Sequence, residues 1–498
     1  MGVVIRQSFK STIAAYIGVA IGAFNLLWLF PKFLSKEEIG LMRVVLDVAL
    51  VFAALAQIGT TNISDRFFSF FKDEEKKHQG FFLLLLVYPL AGFFLISIVY
   101  LSLQDLWIKA YEEHSALLLE YIIEILPLAF LIMYMNILEA YCRVHFRIVV
   151  PGIVREVFLR ICQSVIVILY FLKFITLDGL INLIILSYFI AVILLFSYIK
   201  NLNKLFINRG KVFRDKKLLK EMVTFGLFIF LGGASGMLAT KIDIIMLSFM
   251  KDIGNAGVYT IAFFIGTIIE VPRRMISQIA TPLISQAWKN NDLSSLRQVY
   301  QKTSLNQFII GAFLFLLIWM NVDDILNLIP NSQTYIEGKY VILIIGLGRL
   351  ADMVTGVNTE IILNSPHYKF NFILIIFSAF LLIALNYFLI PVFGMNGAAL
   401  SILIILAGSN IVKYLFLLLK FRMQPFSVQT FYILLLGLTT YLIVYFIPLT
   451  GGGVFFSFLN IAIRSALIFI LFGGSVMYFR LSADMDQMVK NLVLRFKK

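Results

Sequence analysis

The sequence predicts an all-α polytopic membrane protein with fourteen transmembrane helices, on three observations. Hydrophobic residues make up 60% of the 498 and charged residues only 14%, with a mean hydropathy of +0.93. A soluble domain is nearer half apolar and a quarter charged. Long apolar runs recur from one end to the other, continuous rather than alternating, which selects helices over a β-barrel. The basic residues segregate as well. With a cytoplasmic N-terminus, thirty of the 42 Lys and Arg fall in cytoplasmic segments and six in external ones. That bias orients the chain, with both termini expected in the cytoplasm. It also explains the net charge of +14 without nucleic acid.

The first span is expected at 9–30. Arg6 and Lys10 precede it in the manner of a signal peptide, but the run to Phe30 is too long for an h-region and no small-residue cleavage site follows. Five more spans follow at 41–65, 81–103, 119–140, 150–172 and 179–199. The basic stretch 201–221 then reads as an amphipathic cytoplasmic connector resting on anionic lipid. Eight further spans are expected at 222–249, 257–284, 305–329, 339–363, 370–391, 396–419, 429–449 and 454–479, with a basic tail after them.

A shift of 217 residues superimposes the two halves. Gly40 falls on Gly257, Lys72 on Lys289, and Tyr170-Phe171-Leu172 on Tyr387-Phe388-Leu389. The expected organisation is therefore a six-span lobe over 1–200, the linker 201–221, a six-span lobe over 222–420, and two extra spans with the tail over 421–498. Six spans repeated in one orientation imply an axis along the membrane normal, and transporters place substrate sites between such halves.

Charges at membrane depth cost about 2.5–3.5 kcal/mol each on insertion scales, so they mark function or a partner. The in-span bases are Arg43, Lys241, Arg273, Arg274, Arg349 and Arg464. The acids among the spans include Asp47, Asp243, Glu270 and Asp352. Arg273 and Arg274 follow Pro272, which removes a helical hydrogen bond and can kink the helix. Glu270 stands at salt-bridge spacing from both, and Arg43 with Asp47 and Arg349 with Asp352 have the same kind of spacing. Each set admits a bland reading, self-neutralisation, beside a functional one. Lys241 and Asp243 are two apart and point different ways, so each needs a partner elsewhere, and Asp243 fits an interhelical pair or an ion-coupling site. Arg464 has no local acid and reads as structural. Gly18, Gly22, Gly232, Gly233 and Gly236 read as close-packing positions. Cys142 and Cys162 have no metal-ligand spacing, and His78, His114, His145 and His367 are scattered through expected loops. No metal site and no cofactor is expected.

Several stretches resemble one family: LLWLFPKFLSKEEIGLMRVV, LAQIGTTNISDRFFSFFKDEE, the segment from Lys241 through Pro272-Arg273-Arg274 to Lys289, and LNYFLIPVFGMNGAALSI with Asn386, Pro391, Gly394, Gly397 and Ala398. They resemble the polysaccharide-transporter branch of the multidrug/oligosaccharidyl-lipid/polysaccharide exporter superfamily, the Wzx-type flippases. The resemblance implies two six-helix lobes in a MATE-like V shape in the bacterial inner membrane. It implies movement of undecaprenyl-pyrophosphate-linked oligosaccharide, such as an O-antigen unit, from the cytoplasmic to the outer leaflet. Membrane lipid, a polysaccharide polymerase and glycosyltransferases are the expected partners. A flippase needs cations for pyrophosphate, and guanidinium suits phosphate because its planar fork donates paired hydrogen bonds. Arg43, Lys241, Arg273, Arg274 and Arg349 are the candidates for that cavity. Asp47, Asp243, Glu270 and Asp352 are the candidates for charge pairing or for H+ or Na+ coupling.

The alternative is a cation-coupled multidrug or metabolite exporter of the same superfamily. A membrane glycosyltransferase is disfavoured, because the longest external loops, 104–118 and 330–338, are short and hold no DxD-like motif. The chain is thus expected not to be an enzyme.

Overall fold

The structure is a computed structural model; it describes residues 2–73, 75–112, 115–208, 210–213, 215–447, 453–482, 484 and 486–487. Every regular element among them is a helix. His114 and most of the basic tail lie outside the described residues.

Contacts divide the chain into two units, residues 1–257 and 258–498. The first holds α1 (Gly2–Phe24), α2 (Lys36–Ala56), α3 (Thr60–Phe71), α4 (Phe81–Ser102), α5 (Ile125–Val144), α6 (Leu159–Phe171), α7 (Leu177–Asn201) and α8 (Lys216–Met250). The boundary falls inside α9 (Ile253–Thr267). The second unit continues with α10 (Val271–Lys289), α11 (Leu293–Met320), α12 (Val322–Leu328), α13 (Lys339–Val354), α14 (Asn358–Leu363), α15 (Tyr368–Phe393), α16 (Met395–Phe421), α17 (Val428–Tyr445) and α18 (Val454–Ile468). The contact division differs from the repeat division, which starts the second lobe at 222. The repeat pairs α8 with the first span, yet α8 packs along α2 within the first unit.

Among the described residues, eleven helical segments are long and apolar enough to cross a membrane. The fourteen expected spans include three more segments, which are helical but fall outside that set. The stretch 149–171 carries Arg155, Glu156 and Arg160 and is interrupted by a π-turn at Val154–Phe158. The side chains of α8 are described only in part, and α13 is only 16 residues long.

Breaks also move several expected boundaries. The expected span 41–65 is really α2 plus a separate amphipathic helix α3, because Ile58 and Gly59 are both left-handed, at φ 42° and 72°. The expected span 305–329 breaks at Asn321, and 339–363 breaks at Gly356, φ 62°. The connector expected over 201–221 is mostly irregular up to Asp215, with α8 starting at Lys216 rather than 222. The stretch 104–118, expected to be external, is packed where it is described: Tyr111 is buried beside Ser248, and Ser115 Oγ donates to the Ser248 carbonyl. Ser35 starts α2 with a capping box, its hydroxyl accepting from the Glu38 N–H while Glu38 accepts from the Ser35 N–H.

The glycine expectation divides. A Cβ on Gly18 would meet Glu156, and one on Gly22 would meet the Arg160 guanidinium, so these two allow close approach as expected. Gly233 and Gly236 have open space where a Cβ would sit, so the packing reading fails there; the surroundings of Gly232 lie outside the described residues. Gly40 and Gly257 cross face to face: a Cβ on Gly40 would strike the Ile253 carbonyl, and one on Gly257 would strike the Lys36 carbonyl. Residue 253 is 36 shifted by the repeat offset of 217, so the contact is reciprocal.

Candidate functional site

In the first unit, three charged residues meet on two helices. Arg43 Nε on α2 donates to Asp47 Oδ2 at 2.7 Å, one turn along the same helix. Lys241 Nζ reaches across from α8 to the other oxygen, Asp47 Oδ1, at 2.8 Å. The expected Arg43–Asp47 pair is therefore present, and Lys241 has the interhelical partner its spacing demanded. One buried carboxylate serves two cations, which leaves one positive charge over. Asp243 is buried and engaged with neighbouring groups.

In the second unit, the five remaining candidates form a ladder between α10, α13 and the short turn before α10. Pro272 acts as its chemistry requires: the helix breaks into a tight turn at Ile268–Glu270 and restarts at Val271. The restart presents Glu270 and Arg273 to α13. Arg349 Nη1 lies 2.7 Å from Glu270 Oε2, and Arg274 Nε donates to Glu270 Oε1 at 3.0 Å. Arg273 Nε lies 2.8 Å from Asp352 Oδ2. The expected same-helix pair Arg349–Asp352 does not form. Each residue pairs instead across helices, because the restart of α10 sets Glu270 opposite Arg349 and Arg273 opposite Asp352. A helical pair at spacing three contributes only about 0.2–0.5 kcal/mol. The three arginines are matched by two carboxylates, again one cation over.

Asp352 is further held by Asn410 Nδ2 at 2.8 Å, and Asn410 Oδ1 accepts from Asn358 and Thr355 at 2.8 and 3.1 Å. Lys413 Nζ donates to Thr359 Oγ1 at 3.0 Å on the same side. Spacing showed neither Asn410 nor Lys413 as part of this group. Lys413 sits inside the apolar run IVKYLFLLL of the expected span 396–419, and that run is the signal that could have found it. Arg155 and Arg160 lie inside the expected span 150–172. Arg155 pairs with Glu139 at 2.7 Å, and Arg160 pairs with Glu156 at 2.8 Å and donates to the Gly18 carbonyl.

Exposure separates the cations. Arg274 is 70% exposed and Arg43 32%, whereas Arg273 and Arg349 are 14% and 16% exposed. Arg43 and Arg274 are thus the members with surface open to an incoming anion, although each also touches a carboxylate. Arg464 pairs with Asp324 at 2.7 Å and donates to the Met320 carbonyl, a structural tie of α18 to α11 and α12. In the same unit an apolar cavity of about 310 Å³ lies between α11, α13 and α17, with Phe315, Trp319, Leu347, Leu434 and Tyr441 on its walls. Cys142 and Cys162 are unbridged, and His78 is fully buried rather than in an open loop.

Comparison with known proteins follows the geometry. A family described as "Polysaccharide biosynthesis protein" matches residues 5–288. An uncharacterized membrane protein of Methanocaldococcus jannaschii is 24% identical over 217 residues, 43% of this chain and 42% of that protein, so the chain spans under half of that relative's length. Among solved structures, the lipid II flippase MurJ in an inward closed conformation superimposes with a TM-score of 0.72 at 16% identity, covering 94% of this chain and 98% of that one. An inward-facing multidrug resistance MATE family transporter of the MOP superfamily gives 0.60 at 16% identity, over 80% and 93% of the two chains. A MOP superfamily transporter from Pyrococcus furiosus, described as having a binding pocket of reversed polarity, gives 0.55 at 16% identity over 83% and 94%. The fold is therefore that of MurJ and the MATE transporters.

Proposed function

This chain belongs to the polysaccharide biosynthesis protein family, and from that premise we propose that it flips a lipid-linked oligosaccharide carrying a pyrophosphate head. The substrate is an undecaprenyl-pyrophosphate-linked glycan such as an O-antigen unit, moved from the cytoplasmic to the outer leaflet of a bacterial inner membrane by alternating access. Both termini are then cytoplasmic. The observation that carries this reading is the shared carboxylate in each unit: Asp47 holds Arg43 and Lys241, and Glu270 holds Arg274 and Arg349. In the second unit three arginines share two carboxylates, and the cation left over at membrane depth attracts an anionic head and repels a cationic drug.

The cavity beside α17 supports the lipid part of the reading. It is apolar, and α17 stands outside the six-span repeat. A prenyl chain fits such a surface. The exporter reading is favoured by the MATE-like fold and by the acids Asp47, Asp243, Glu270 and Asp352, any of which can take up H+ or Na+. The lipid-linked head is expected to engage Arg43 and Arg274 first. Polymerase and glycosyltransferase partners belong to the same proposal.

The test is reconstitution of the purified protein in proteoliposomes with fluorescently labelled lipid-linked oligosaccharide. Arg274→Gln and Arg43→Gln are expected to slow flipping at least tenfold while a hydrophobic cation is not transported. Efflux of a cationic dye with no flipping selects the exporter instead.

A further inference from the structure

Away from the ion pairs at membrane depth, three helices of the first unit end around one polar cavity of about 210 Å³. Lys72 caps the end of α3, Arg147 follows α5, and Lys204 follows α7, and all three line it together with His145, Phe146 and Leu202. Among the described residues, no carboxylate lines it. The segments 66–77, 143–160 and 200–220 belong to the face whose basic charge marks it as cytoplasmic.

The cavity is built by the backbone rather than by loose side chains. Both α5 and α7 end in complete Schellman motifs. After α5, Phe146 is left-handed at φ 58°, its N–H donates to the Arg143 carbonyl at 2.9 Å, and the Arg147 N–H donates to the Cys142 carbonyl at 3.0 Å. After α7, Asn203 is left-handed at φ 54°, its N–H donates to the Lys200 carbonyl at 2.9 Å, and the Lys204 N–H donates to the Ile199 carbonyl at 3.2 Å. Tyr141 Oη donates to the Lys204 carbonyl at 2.9 Å and ties the two ends together. The same device thus delivers Arg147 and Lys204 to equivalent positions at neighbouring helix ends. Phenylalanine in the left-handed region is costly, and such strain persists where the surroundings hold it.

Cations at helix C-termini have an ordinary explanation, since each end carries about half a negative charge. Three ends amount to roughly one and a half negative charges, which Lys72 and Arg147 alone outweigh, so the cavity stays electropositive even with Lys204 engaged elsewhere. The cavity has room for a phosphate group. Phe146 is 59% exposed at the rim. An exposed aromatic ring beside cations is what a membrane–water interface accommodates and what a soluble anion does not require.

We propose that this cavity binds the phosphate headgroup of an anionic membrane lipid on the cytoplasmic face. It is a lipid site additional to the transport pathway, and it stands whether or not the chain flips lipid-linked sugar. The membrane supplies the ligand, Lys72, Arg147 and Lys204 hold the phosphate, and the Phe146 ring sits among the acyl chains.

The experiment is native mass spectrometry of the full chain in detergent, titrated with phosphatidylglycerol, beside calorimetric titration with inorganic pyrophosphate. The Lys72→Gln/Arg147→Gln variant is compared with Lys216→Gln/Lys217→Gln, which removes equal charge from exposed positions outside the cavity. Near a membrane each basic residue contributes about fivefold in affinity, so the cavity variant should retain phosphatidylglycerol roughly 25-fold less well while the control matches the unaltered chain. Equal loss in both variants means diffuse surface charge and overturns the site, as does no loss in either. Saturable pyrophosphate binding without phosphatidylglycerol retention overturns the lipid as its source. Monodisperse elution of both variants shows that folding is intact; if the cavity variant does not elute so, Arg147→Lys must bind as the unaltered chain does, and loss of binding there overturns the proposal.

Discussion

Asp352 shows how a charge is tolerated at membrane depth. Its two oxygens are taken by Arg273 and Asn410, and Asn410 is in turn fixed by Asn358 and Thr355. Removing one member of such a buried pair leaves the other desolvated and alone, at about 3–5 kcal/mol, whereas replacing both with apolar residues of similar volume is close to neutral. Asp352→Ala is therefore expected to lower the thermal unfolding midpoint markedly, and Arg273→Met/Asp352→Leu to recover most of it. If the double variant is as unstable as the single one, the pair is not what holds Asp352. The pairing itself was hidden from the sequence for a physical reason. Spacing reports which charges share a helix face, so Arg43–Asp47 and Glu270–Arg274 were legible. It says nothing of which helix lies opposite, so Arg349 and Asp352 looked like partners when each pairs across to the region of Pro272.

At the scale of the helix, glycines divide by what faces them. Gly40 and Gly257 sit where a Cβ would run into a carbonyl of the opposing strand of chain, and backbone cannot swing aside as a side chain can. Gly40→Ala is expected to disrupt the α2–α9 crossing and to reduce the yield of folded protein. Gly236→Ala enters open space on α8, where the only change is the helix preference of alanine, worth about 0.5–1 kcal/mol of stabilisation. Thermal melts of the two variants in one detergent read the opposite signs; melting points shifted in the same direction would contradict the packing argument. The helices themselves were legible because an apolar run of 18 or more residues has few alternatives in a membrane. The interruptions at Ile58-Gly59, Asn321 and Gly356 were not, since a left-handed residue or a broken hydrogen bond leaves hydropathy unchanged.

For the molecule as a whole, the proposed cargo and the membrane potential act together. A pyrophosphate head is anionic, and an inside-negative potential drives anions outward. Each charge that crosses the full field gains about 2.3 kcal/mol per 100 mV, close to a fiftyfold bias in distribution. Much of the site's own charge is neutralised locally: Asp47 and Glu270 each offset one of the two cations they hold, and Asp352 offsets Arg273. The cation left over in the second unit opposes part of the head's charge if it shifts within the field, and the rest of the head's charge sets the response. Outward flipping in proteoliposomes is expected to accelerate when a potassium diffusion potential makes the interior negative, and to slow when the sign is reversed. An exporter exchanging a cationic drug for H+ or Na+ responds differently, because inward return of the coupling cation cancels part or all of the outward charge. Clamping the voltage at zero while imposing a proton or sodium gradient then separates the two. A rate that follows voltage and ignores both gradients supports the flippase with the field as its driving force. A rate that follows a gradient and ignores voltage assigns the energy to one of the carboxylates, and Asp47→Asn against Asp352→Asn then identifies which unit carries it.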